Sequence, residues 1–106
     1  MVGRGTNEAV RARLAAQRRR LSDRAVAAAR DEQVTAAAGR ARAAYGELRR
    51  AVAVGDAAVM ERLTGRLGEM VAGLRAQGVS VVGIADLLGA PAALVRRWLR
   101  AAGGAR

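Results

Sequence analysis

A chain of 106 residues holds one compact domain, or a small domain with a helical extension, and not two independent domains of ordinary size. With no Cys and no His it has no disulfide framework and no thiol or imidazole chemistry, a zinc site is close to excluded, and no apolar run approaches the ~18 residues of a membrane span. Nineteen basic residues, every one an Arg, stand against nine acidic ones; a net charge of +10 makes the chain repel itself and attract polyanions, nucleic acid foremost.

The aromatic content is one Trp, one Tyr and no Phe, so a core must be assembled from Leu, Val, Ala and Met. These bury little area per residue, and a lone chain would be marginal; a homodimer is therefore expected. Exclusive use of Arg alongside abundant Ala, Gly and Val also fits a high-GC coding genome, which limits what the choice of Arg over Lys at any one site means. The N-terminus lacks the apolar block of a signal peptide, and the expected location is cytoplasmic or nucleoid-associated.

In chain order, residues 1–7 are Gly-rich at the start and are expected to be disordered, with Thr6 or Asn7 capping a helix that begins near Glu8. From there to about Ala38 no Pro or Gly intervenes. Val10, Leu14, Leu21, Ala25, Ala28 and Val34 recur loosely at helical spacing, a thin stripe. Gly39 is expected to weaken or interrupt this helix, and a second helical stretch over 40–54 places Ala41, Ala44, Tyr45, Leu48 and Val52 on one face. Gly55-Asp56 reads as a stop and a restart.

A helix over 57–77 follows, with Met60, Leu63, Leu67, Met70 and Leu74 alternating spacings of three and four as a core stripe; a coiled-coil seam is the other reading, but barely two heptads are available. Gly78 ends it. Short helices are expected near 80–88 and 91–101, before a flexible tail at 103–106. No β-alternating run and no internal repeat is present. The expected fold is all-α, an N-terminal long helix or helical hairpin over 8–54 followed by a tri-helical domain over 55–102.

The segment from Gly78 to Arg100 reads GVSVVGIADLLGAPAALVRRWLR. Ala85 is small where two helices would cross, Gly89 accepts the positive φ of a tight turn, and Pro91 suits the first turn of the helix that follows. Ile84, Leu88, Ala90, Val95 and Trp98 are apolar at the inward positions. This stretch resembles the helix-turn-helix of bacterial transcription regulators and resolvases, of which only the DNA-binding element is represented. The resemblance implies a recognition helix in the major groove of double-stranded DNA, contacted through Ser80, Ala92, Ala93, Arg96, Arg97 and Arg100. The start of that helix departs from the family: Ala92 and Ala93 stand where Gln, Ser, Asn or Arg often reach base edges, and Val82 lies near a position that often carries a phosphate-binding polar residue. Sequence specificity then falls to the three arginines, dimer spacing or DNA shape.

Residues 1–50 contain 12 Arg and five carboxylates, a net +7. Arg11, Arg13, Arg18, Arg19, Arg20 and Arg24 are dense enough for a basic band, with Arg18, Arg19 and Arg20 at its centre. Three readings stay open: an auxiliary phosphate contact to DNA, an RNA-binding helix like the arginine-rich peptides that RARLAAQRRRLSDR resembles, or a solvated helix neutralised locally by Glu8, Asp23, Asp31 and Glu32. The helices of residues 8–54 are expected to carry dimerisation and to set the spacing of two half-sites. No catalytic, cofactor or metal site is expected, since Ser22 and Ser80 have no base beside them and the carboxylates are scattered. A sequence-preferring regulator or phage- or plasmid-type repressor is the leading functional expectation. A low-specificity architectural protein is one alternative, and a helical protein-interaction adaptor another.

Overall fold

A computed structural model of the protein describes residues 3–104, and the fold is all-α. Four helices follow one another: α1 (Gly3–Val54), α2 (Ala57–Ala76), α3 (Val81–Leu88) and α4 (Ala92–Gly104). No strand occurs among the described residues. The chain divides into two compact units, Met1–Gln33 and Val34–Arg106.

In the first unit, α1 is a single helix whose residues 7–33 are exposed, apart from a half-buried Ala16. None of residues 7–33 is fully buried, and this stretch rests on the propensity of its Ala, Arg, Leu and Gln residues and on its length. It begins at Gly3 rather than near Glu8. The N-terminal segment expected to be disordered is thus helical from Gly3, while Met1 and Val2 lie outside the described residues. The tail is likewise shorter than expected: α4 continues to Gly104, and Ala105 and Arg106 lie outside.

The second unit contains the core. Gly39 does not interrupt α1, and neither does Gly46. A mid-helix Gly costs about 1 kcal/mol relative to Ala. Here Ala38, Ala41, Ala44, Leu48 and Ala51 are buried along one face, and their packing outweighs that local cost. Their small size lets a helix approach its neighbours closely. Val52, expected inward, is exposed, and Ala51 takes its place.

From α2 the core receives Leu63, Leu67, Val71 and Leu74, with Met60 and Met70 half-buried at its margin. Ile84, Ala85 and Leu88 enter from α3, Ala90 from the turn, and Val95 and Trp98 from α4. Each large side chain so buried is worth roughly 1.5–3 kcal/mol of transfer free energy.

The three helix ends share one device. Gly55, Gly78 and Gly89 all have positive φ, at 72°, 92° and 67°. Each is followed by an amide that donates back across the last turn: Asp56 to the Ala51 carbonyl at 3.0 Å, Val79 to Leu74 at 3.1 Å, and Ala90 to Ala85 at 3.0 Å. The glycine amides donate to Val52, Arg75 and Asp86 in the same order. This is the Schellman arrangement, which satisfies the orphan carbonyls of a helix end at the one residue type free of a Cβ clash. Asp56 serves twice, because its carboxylate also accepts from the Val59 amide at 3.2 Å and caps α2.

Candidate nucleic-acid interface

The corner between α3 and α4 is built from local chemistry at both of its sides. Ser80 precedes α3, and its Oγ accepts from the Gly83 amide at 3.0 Å, closing the first turn. The hydroxyl keeps its own hydrogen to donate elsewhere. After Leu88 the backbone turns left-handed at Gly89, and only residues 89–91 separate the two helices. Pro91 stands just before α4 rather than inside its first turn. Its carbonyl accepts from the Leu94 amide at 3.0 Å and the Val95 amide at 3.2 Å. A proline has no side-chain acceptor, so the first amides of α4, at Ala92 and Ala93, receive no cap from it.

Packing fixes the rotation of α4 about its own axis. Val95 and Trp98 are fully buried, and Leu94, Leu99 and Ala102 are half-buried on either side of them. Trp98 meets the Tyr45 ring edge-on, with centroids 5.5 Å apart and planes at 70°. Such an aromatic pair contributes about 0.5–1.5 kcal/mol beyond the area it buries. Gly68 on α2 lies against the backbone of α4: a Cβ there would stand 3.1 Å from the Trp98 carbonyl oxygen and 3.4 Å from the Ala102 Cβ. The absence of that atom lets α2 and α4 touch.

With Trp98 held inward, Ala93, Arg96, Arg97 and Arg100 are exposed. At about 100° per residue the four occupy an arc of about 100° centred opposite Val95 and Trp98. Three guanidinium groups thus share one face of one short helix, each with five donors and a permanent charge. Ala92 is half-buried at the edge of that face, so Ala93 is the more accessible of the pair. Asp86 on α3 is exposed, the one carboxylate of the segment 79–104. Val82 is exposed too, at the outer side of α3.

Arg18, Arg19 and Arg20 are exposed on α1, in the first unit. Consecutive residues on a helix diverge by about 100°, so these three fan around the axis. The arginines that do gather are Arg13, Arg20 and Arg24, which line a single surface depression with Gln17 and Leu21.

Sequence reasoning missed two partners of the site. Tyr45 was expected to face inward but not to meet Trp98, and Gly68 carried no signal beyond being a glycine inside a helix. Both are non-local, and no spacing rule connects residues 45, 68 and 98. Among the described residues no group of three or more side chains is arranged to hold a metal ion, and no helix is long and apolar enough to cross a membrane. Comparison with known proteins finds no matching family model, no similar curated protein and no similar solved structure.

Proposed function

We propose that the protein binds double-stranded DNA through α3 and α4 acting as a helix-turn-helix, with α4 entering the major groove, and that it serves as a transcriptional regulator or phage- or plasmid-type repressor. The observation that carries this reading is the shared outward face of Arg96, Arg97 and Arg100, set opposite the buried Trp98 just after the Gly89 corner. Arg pairs bidentately with guanine in the major groove, and Ala93 is small enough to touch a thymine methyl. The uncapped amides of Ala92 and Ala93 and the Ser80 hydroxyl are suited to phosphate oxygens, which position a protein without reading sequence. The net charge of +10 supports the reading independently.

A second reading, low-specificity architectural binding, is favoured by one feature: the first turn of α4 offers Ala92 and Ala93 and no hydrogen-bonding side chain. Two chains on one duplex would set a half-site spacing. Residues 10–24 of α1 are a poor seam for such a pair, because the positions beside their apolar stripe carry like charge.

Gel-shift titration at one fixed salt concentration tests the proposal. Arg96→Ala or Arg97→Ala should each weaken duplex binding by about 1–3 kcal/mol where the side chain contacts a base. Unchanged affinity in the Arg96→Ala/Arg97→Ala/Arg100→Ala variant would remove α4 from the interface, and weak binding of the parent chain to any duplex would favour the adaptor reading. Selection from a random duplex pool then separates the two nucleic-acid readings, since a regulator should prefer its site by at least ~10³.

A further inference from the structure

The first half of α1 carries an unpartnered apolar stripe whose flanks are all basic. Val10, Leu14 and Leu21 are 46%, 48% and 57% exposed, large apolar side chains left in water on one helix. Together with Gln17 they are spaced four, three and four residues apart, the repeat of a two-helix seam. Written as heptads, Leu14 and Leu21 fall at a, Val10, Gln17 and Arg24 at d, Arg11 and Arg18 at e, and Arg13 and Arg20 at g, so the apolar seam runs from Val10 to Leu21 and ends on a further arginine. Arg13, Gln17, Arg20, Leu21 and Arg24 line one surface depression, so one basic flank and the stripe are contiguous.

Those flanks choose the occupant. A second copy in parallel would set g arginines against e arginines, and an antiparallel copy would set e against e and g against g. Like charges meet in both cases. A nucleic acid would engage the arginines and leave Val10, Leu14 and Leu21 uncovered. From this we propose that residues 10–24 dock an amphipathic helix of another protein, one with apolar residues on its seam and Glu or Asp at the flanking positions. The acidic side chains meet Arg11, Arg13, Arg18 and Arg20, while the seam covers the exposed stripe. This inference stands apart from the role of α4 in DNA binding.

The test titrates the full-length chain against a labelled synthetic helix of about three heptads, with Leu at a and d and Glu at e and g, followed by fluorescence anisotropy. A companion peptide has Lys in place of every Glu. The Glu peptide should bind and the Lys peptide should not. Leu14→Ala/Leu21→Ala should weaken the complex about 10-fold or more while keeping the circular dichroism of the parent, since both positions are exposed and Ala favours helix. Exchanging Arg11, Arg13, Arg18 and Arg20 for Glu should reverse the preference toward the Lys peptide. The Arg96→Ala/Arg97→Ala/Arg100→Ala variant should bind the Glu peptide as the parent does, whatever its affinity for DNA. Failure of the Glu peptide to bind would overturn the proposal, as would binding indifferent to the two leucines. Self-association in sedimentation that disappears with Leu14→Ala/Leu21→Ala would overturn it in favour of a second copy. A parent chain that ignores the Glu peptide, but loses duplex or RNA-hairpin affinity on the charge exchange, would assign the segment to phosphate.

Discussion

Residues 7–33 and Val34–Val54 belong to the same helix and are both rich in Ala and Arg, yet only the second stretch buries side chains. Residue size does not explain the difference. The exposed stretch holds the larger apolar residues, Val10, Leu14, Leu21 and Val26, whereas the buried face of the second is four alanines and one leucine. What separates them is the availability of a partner in the same chain. After Val54 the Gly55-Asp56 turn leads into α2, and Ala41, Ala44 and Leu48 of this face join one core with α2, α3 and α4. Apolar spacing on a helix therefore reports a face that a partner would stabilise, and is silent about whether the partner is intramolecular.

The strongest way to break this comparison is to remove side chains of similar kind from each stretch. Trp98→Ala should destabilise the second unit by about 3–5 kcal/mol in denaturant unfolding, because a fully buried aromatic leaves both a cavity and a lost ring contact with Tyr45. Leu21→Ala, on the exposed stripe, should change stability by no more than about 0.5 kcal/mol. A comparable loss from both would mean that residues 7–33 pack in solution.

Glycines sharpen it at the next level of effect. Gly68→Ala places a methyl 3.1 Å from the Trp98 carbonyl oxygen, a backbone atom that cannot swing aside. It should cost about 1–3 kcal/mol, the usual range for overpacking. Gly65→Ala, one turn earlier on the same helix, meets nothing within 4 Å and should stabilise by about 0.5–1 kcal/mol. Opposite signs in a pair of thermal melts would locate the close approach of α2 and α4 at residue 68. Two shifts of the same sign would reject that contact.

Much of the corner was legible from residues alone because its causes are local. Gly89 after a helix and the apolar positions Ile84, Leu88, Ala90, Val95 and Trp98 act within a few residues of themselves, and each sits where turn chemistry and periodicity put it, whereas Ser80, expected inside α3, caps it. The outward direction of Arg96, Arg97 and Arg100 followed, since a helix with a fixed inner face has a fixed outer one. Failures cluster where distant packing decides. Gly39 looks like a break when propensity is the only term, and the burial of Ala38 and Ala41 on either side overrides it. Val52 looks more core-like than Ala51 by hydrophobicity, but the face of α1 that buries Ala41, Ala44 and Leu48 continues to Ala51.

A small expected effect is the most direct probe of α1. Gly39 is exposed, has nothing within 4 Å of a built Cβ, and has helical backbone, so Gly39→Ala should gain about 0.5–1 kcal/mol without altering a contact. The reverse exchange at an exposed residue of the first unit, Ala27→Gly, carries a similar intrinsic cost. If the first unit is held only by its own helix propensity, that cost appears as lost ellipticity at low temperature, while the unfolding midpoint of the core stays put. Gly39→Ala, flanked by the buried Ala38 and Ala41, should instead raise that midpoint by a few degrees, as about 4–8 °C per kcal/mol applies to a unit of this size. A midpoint that falls as far with Ala27→Gly as it rises with Gly39→Ala would show the whole of α1 unfolding with the core, and the exposed stretch would then be part of one cooperative structure.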